Sequence, residues 1–212
     1  MKSKKNLIEN LKPLPYFTKV VLVQIAEQYA LEDVTIDTYI SRYIKSKDII
    51  QLRRELYVSK DFYEKNKNDV TYLYYLANVL RKPSYISSWT ALQYYSLATE
   101  EIGAITSVTQ KVTRDYQTKI GTFFYKSINE KSFSDYVLVK GNSESDNKFD
   151  FYIASPSKAL FDLLYFRTNR YRSIEVRDIG NLLEELRIDF DEMGKKEQDL
   201  FYSMVEKYKE HE

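Results

Sequence analysis

Thr35-Ile-Asp-Thr-Tyr-Ile-Ser-Arg-Tyr-Ile-Lys-Ser46, followed at once by Lys47-Asp-Ile-Ile-Gln-Leu-Arg-Arg-Glu-Leu-Tyr-Val-Ser59, is the stretch that decides the fold. In its first half Ile36, Tyr39, Ile40, Tyr43 and Ile44 recur at spacings of three and four, which predicts a helix over 35–46 with one apolar face. In its second half the apolar-rich runs 49–52 and 56–59 flank Arg53-Arg-Glu55, the pattern of a β-hairpin. Upstream, Leu7, Ile8 and Leu11 share a face over 4–11, and Pro13 and Pro15 end that helix because proline lacks an amide donor and restricts its predecessor. Thr18 can cap a second helix to about residue 28, where Val21, Leu22 and Ile25 share a face flanked by Val20 and Val23. A short acidic turn, 31–34, separates it from the third helix.

Three helices followed by a two-stranded hairpin is the order of a winged helix. In that arrangement the third helix buries one face and leaves the other free for the major groove of DNA. The free face presents Thr35, Asp37, Thr38, Ser41, Arg42 and Lys45. Hydroxyl side chains and arginine can reach base edges, whereas Lys45 and Lys47 suit phosphates, and the hairpin tip offers Arg53 and Arg54. Residues 42–60 hold six basic groups against Asp48 and Glu55, so cationic charge is concentrated where contact is expected. An ordinary amphipathic helix with a solvated face accounts for 35–46 equally well, and Asp37 opposes close approach to phosphate. The paired arginines at the hairpin tip shift the reading toward DNA.

Beyond residue 60 the polar stretch 62–69 reads as a connection between domains. A helix over 70–79 follows, then one capped by Ser87 or Ser88 that carries Trp89, Leu92, Tyr95 and Leu97. Strands are expected at 104–109, 119–128, 136–139 and 149–154, with a polar, mobile loop at 141–148. Ser155-Pro156 opens a helix to about residue 167, and amphipathic helices at 175–186 and 195–209 complete the chain. The expected fold class is α+β: a winged helix-turn-helix domain over 1–60 and a mixed α/β domain over 70–212.

Composition narrows the chemistry. Of 212 residues 30% are charged and 43% hydrophobic, the balance of a globular protein, and no apolar run approaches a membrane span. The basic N-terminus lacks the apolar stretch and cleavage site of a signal peptide, so a cytoplasmic protein without a membrane association is expected. The net charge of +1 divides into +4 over residues 1–60 and −3 over the remainder. With no cysteine there is no disulfide, thiolate site or cysteine nucleophile. The single histidine, His211, adjoins the C-terminus, and the five glycines (103, 121, 141, 180, 194) are isolated. Histidine triads, histidine metal sites, P-loops and dinucleotide fingerprints are thereby excluded, and no cofactor or metal is expected.

Gly141-Asn-Ser143 with Asp146 and Asp150 imitates a nucleotidyltransferase signature. That chemistry needs carboxylates two apart on one strand, and these are four apart. The twenty tyrosines read as packing residues with satisfied hydroxyls, since basic residues are not dense around them, and Trp89 as a core anchor. The expectation is a non-enzyme. Two other readings stay open: a protein-interaction module with a purely structural head, and a nucleotide-handling enzyme.

Three segments carry a family resemblance. Pro15-Tyr-Phe-Thr18, Thr38-Tyr-Ile-Ser-Arg-Tyr-Ile-Lys45 and Ile50-Gln-Leu-Arg-Arg-Glu-Leu-Tyr-Val58 together resemble the winged helix of AbiEi-like antitoxins of type IV, abortive-infection toxin–antitoxin systems. Arg81-Lys-Pro-Ser-Tyr-Ile-Ser-Ser-Trp-Thr-Ala-Leu-Gln-Tyr-Tyr95 resembles the start of that family's C-terminal domain, and Ile153-Ala-Ser-Pro-Ser-Lys-Ala-Leu-Phe-Asp-Leu-Leu164 a later helix of it. The chain departs from the family at two positions: Glu55 stands where the hairpin turn usually has glycine, and Ser157 where an acidic residue usually follows the proline. The resemblance implies an antitoxin that binds double-stranded DNA at repeats in its own promoter and represses its operon. It also implies a C-terminal domain that counteracts a nucleotidyltransferase-like toxin without requiring a stable complex.

Overall fold

The computed structural model describes residues 2–29, 33–99, 103–141 and 149–210, with side chains from residue 7 onward and, in the third helix, from Ile36. The chain is α+β, and its described residues form two sheets, of three and six strands. Helices α1 (Lys2–Leu11), α2 (Lys19–Glu27) and α3 (Asp33–Lys45) precede the hairpin β2 (Ile49–Arg53) and β3 (Leu56–Ser59). Thr18 caps α2 by accepting from Val21 N at 3.4 Å. A two-residue strand, β1 (Phe17–Thr18), joins the hairpin in the order β1-β3-β2, placing Phe17 opposite Tyr57. It was not expected, because two residues between Pro15 and a helix carry no period to read.

All four residues of β3 are buried, and alternation along the strand explains it. Tyr57 joins Phe17, Ile36, Ile40 and Tyr43 in a cluster under the three helices. Leu56 and Val58 point the other way, with Leu52, into the larger core that runs through the rest of the chain. The hairpin therefore serves two cores at once.

The first part of the stretch expected to be a connection is helical, and residues 67–69 turn from it into the next helix. Ser59 caps α4 (Lys60–Asn66), accepting from Phe62 N at 3.1 Å, and Asp69 caps α5 (Val70–Leu80), accepting from Thr71 N at 2.9 Å. Phe62 and Asn66, one turn apart, are buried, and the amide of Asn66 donates to Phe62 O at 2.8 Å. One narrow buried face among charged neighbours made the segment look like a linker. The tie between the expected domains is also polar: Tyr72 donates to Pro15 O at 2.7 Å, and Arg53 Nε to Leu80 O at 3.0 Å.

The larger sheet has the order β6-β7-β5-β4-β9-β8, built from β4 (Ser84–Ile86), β5 (Ala104–Thr109), β6 (Arg114–Thr118), β7 (Gly121–Ser127), β8 (Tyr136–Val139) and β9 (Phe151–Ala154). It is mixed: β4 pairs parallel with β9 and β5 with β7, and the other neighbours are antiparallel. Strands β5 and β8 match expectation. The run 119–128 resolves into β7 and the end of a hairpin whose first strand, β6, was too polar to stand out, and β9 begins at Phe151 rather than 149. The central β4 was missed because three residues fall below any readable period. Helices α6 (Ser88–Tyr94), α7 (Pro156–Arg167), α8 (Ile179–Glu185) and α9 (Lys195–Glu210) complete the fold, and the helix expected over 175–186 is a 3-10 turn (Val176–Asp178) leading into α8. Residues 142–148 of the loop expected at 141–148, and His211, lie outside the described residues. Among the described residues no helix is long and apolar enough to cross a membrane.

Candidate nucleic-acid interface

Helix α3 is two-faced, as its spacing requires. Ile36, Ile40 and Tyr43 are buried, and burial pushes the Tyr43 phenol up to about 12. Asp37, Thr38, Ser41, Arg42 and Lys45 are exposed and line one shallow hollow. The side chain of Thr35 lies outside the described residues. Lys47 is exposed just past the C-terminus of α3 in a left-handed conformation (φ 63), with its amide donating to Ile44 O at 3.1 Å.

The hairpin tip adjoins this face through Lys19. Its backbone amide donates to Glu55 O at 3.2 Å, and its Nζ reaches Asp37 Oδ1 at 2.7 Å. That contact to Asp37 holds the Lys19 ammonium above its ordinary value, against partial desolvation. Arg54 is 94% exposed, with Glu55 as a loose neighbour at 3.9 Å. The two arginines of the tip are not equivalent. Arg53 turns toward the C-terminal part of the chain, where Nε donates to Leu80 O at 3.0 Å and Nη1 to Arg54 O at 3.1 Å. At the tip, two donors of Arg53 are occupied within the protein, whereas the Arg54 side chain projects outward.

Arg53 instead forms one wall of a groove of ≈ 710 Å³ between the hairpin and β6. Arg54, Arg81, Lys82, Lys111, Arg114, Asp115 and Tyr116 also line it. Among the described residues Arg53, Arg81, Lys82, Lys111 and Arg114 form no ion pair with a carboxylate. Arg81 is only 8% exposed and donates to Tyr116 Oη at 3.3 Å and to Val112 O, while its Nε is buried without a partner. The sequence reading missed this concentration of charge. Its members lie in three separate segments, and only the Arg53-Arg54 pair stood out as a local signal.

The two C-terminal segments singled out in the sequence meet in the interior. Asp162, fully buried, accepts from Tyr85 Oη at 3.0 Å, Ser87 Oγ at 2.7 Å and Lys158 Nζ at 2.7 Å. Lys158, 2% exposed, also donates to Ser132 O at 2.7 Å, so the buried ammonium is well satisfied. Burial pushes the Asp162 carboxyl above the usual carboxylate range, and Lys158, Ser87 and Tyr85 only partly oppose it. Ser87 was expected as a helix cap, yet it makes no capping bond and spends its hydroxyl on Asp162. Nearby, Ser157 stands where the resembled family has an acid, and a carboxylate reaches that helix start from elsewhere: Glu197 Oε2 accepts from Ser157 N at 3.0 Å.

No protein-family model matches the chain, and no curated protein is significantly similar to it in sequence. The arrangement itself offers a hydroxyl- and arginine-bearing helix face, an exposed arginine on a neighbouring turn, and a predominantly basic groove beside that turn. Such a surface is suited to a phosphate-bearing ligand.

Proposed function

We propose that the chain is a DNA-binding antitoxin of the type IV class, acting in the cytoplasm as a repressor of its own operon, with residues 1–60 as a winged helix. The observation that carries the reading is the union of the outer face of α3 with the hairpin tip through Lys19 (2.7 Å to Asp37, and 3.2 Å from its amide to Glu55 O). On this reading Thr38, Ser41 and Arg42 enter the major groove, Lys45 and Lys47 meet phosphates, and Arg54 follows the backbone. The position where AbiEi-like proteins carry glycine supports the comparison: Glu55 has φ 62, the conformation that glycine adopts at least cost. The antitoxin part of the reading draws on Tyr85, Ser87, Lys158 and Asp162, because the two resembling C-terminal segments are joined by this one buried network.

Mobility shifts with the chain's own promoter and a scrambled duplex, each at several salt concentrations, test it. Arg42→Ala is expected to cost about 1–3 kcal/mol on the promoter and to relax sequence preference. Arg54→Ala is expected to weaken both duplexes alike and to lower the salt slope by about one. Promoter and scrambled duplex bound equally by the wild type would refute the repressor assignment. Co-expression with the product of the neighbouring gene tests the antitoxin part, and a chain that gives no protection from that product's toxicity overturns it.

A further inference from the structure

The groove between the hairpin and β6 is concave, and its ≈ 710 Å³ lies in the size range of small-molecule sites. A duplex presents a convex row of phosphates and meets cations on a rim, so it leaves the interior of such a hollow unused. Here the interior is charged. The Arg81 guanidinium lies in the wall at 8% exposure and forms no ion pair among the described residues, and Asp115 is the one carboxylate in the groove lining. A cation beneath a low-dielectric surface strengthens the field inside a cleft more than one at the rim. Arg53 is fixed by its bonds to Leu80 O (3.0 Å) and Arg54 O (3.1 Å), so little side-chain freedom is lost when an anion arrives. The Arg114 guanidinium lies over the Tyr116 ring at 5.7 Å, and both groups are of the kind against which an aromatic base stacks.

We propose that this groove binds a nucleoside polyphosphate, with its linked phosphates against Arg53, Lys82 and Lys111 and its base against Arg114 and Tyr116. Arg54 stands on the same rim and also belongs to the DNA-facing surface, so an occupied groove lowers affinity for DNA. That last consequence rests on the DNA-binding reading; the ligand site does not.

The test is calorimetric titration of the full chain with ATP, without divalent metal, at about 0.15 M salt, where diffuse surface attraction is screened. One ATP per chain is expected, with inorganic tripolyphosphate competing for it. Lys111→Ala/Arg114→Ala, two exposed positions, is expected to weaken ATP by about tenfold or more. Arg42→Ala/Lys45→Ala on α3 is expected to leave ATP binding unchanged while it weakens DNA, so failure of either reading is seen separately. Equal loss of ATP binding in both variants, or none at this salt with the wild type, overturns the proposal. A groove variant that loses DNA affinity while the wild type binds no ATP assigns the groove to the DNA backbone instead. ATP binding that leaves duplex affinity unchanged overturns the coupling.

Discussion

Asp37 and Glu55 hold down the positive charge of the surface formed by α3 and the hairpin. Asp37, with its side chain 72% exposed, pairs with Lys19 at 2.7 Å, and Glu55 sits 3.9 Å from Arg54. Both pairs are solvent-exposed and contribute little to stability, so the carboxylates act mainly on what approaches from outside. Asp37→Asn removes one negative charge from the face and releases Lys19 toward it. The expected outcome is tighter binding of any duplex at low salt, with the slope of log affinity against log salt steeper by up to about one unit. Thermal unfolding should move little, because an exposed pair is worth about 0–1 kcal/mol. Unchanged affinity across the salt series would mean that DNA does not lie on this face. Glu55→Gly acts on backbone as well as charge. At φ 62 a side chain costs on the order of 1 kcal/mol relative to glycine, so this variant should unfold at slightly higher urea. A lower midpoint would show that the Glu55 side chain is favourable in place.

Between elements, the buried Lys158–Asp162 pair joins α7 to β4 and to the start of α6 through Tyr85 and Ser87. Removing one partner strands a charge in a dry interior, so Asp162→Ala should destabilise by about 3–5 kcal/mol in urea unfolding. Lys158→Met/Asp162→Leu should recover part of that loss, since both charges go while Tyr85 Oη and Ser87 Oγ lose their acceptor. A double variant as weak as the sum of the singles would deny the coupling. The carboxyl of Asp162 is raised in the folded state, so the fold takes up its proton more readily than the unfolded chain does. The stability this group contributes is fully present in acid, below its unfolded value, and is lost as pH rises through its higher folded value. The stability difference between wild type and Asp162→Asn should therefore shrink with rising pH.

The elements legible in the sequence were those with enough length to show a period, such as α3, α7 and β5. Strands β1, β4 and β6 were hidden by brevity or polarity, and α4 by its single narrow buried face. The Asp162 network was unreadable for a different reason. Nothing local marks Ser87 and Asp162 as partners across 75 positions.

At the scale of the whole molecule, charge and connectivity part company. The face of α3 could be read from spacing alone, because exposure on a helix follows from its period. The basic groove could not, since Arg53, Arg81 and Arg114 come together only when the hairpin docks beside β6. The same docking determines whether the head can stand by itself. Leu52, Leu56 and Val58 are 5%, 1% and 0% exposed, and all three lie in the larger core rather than under the three helices. A fragment of residues 1–60 returns these side chains to water, at about 1.5–3 kcal/mol each. A unit of that size has only a few kcal/mol of stability to lose. The fragment is thus expected to show no cooperative urea transition and only weak, nonspecific attraction to DNA. Extending it through α5 should not rescue it, because β4, β7 and β9 still leave that core open. Leu56→Ala in the full chain should cost about 2–5 kcal/mol, whereas Val20→Ala, at a position 64% exposed, should cost far less. A cooperative melt of residues 1–60, together with a Leu56→Ala chain as stable as wild type, would establish the head as an independent domain after all.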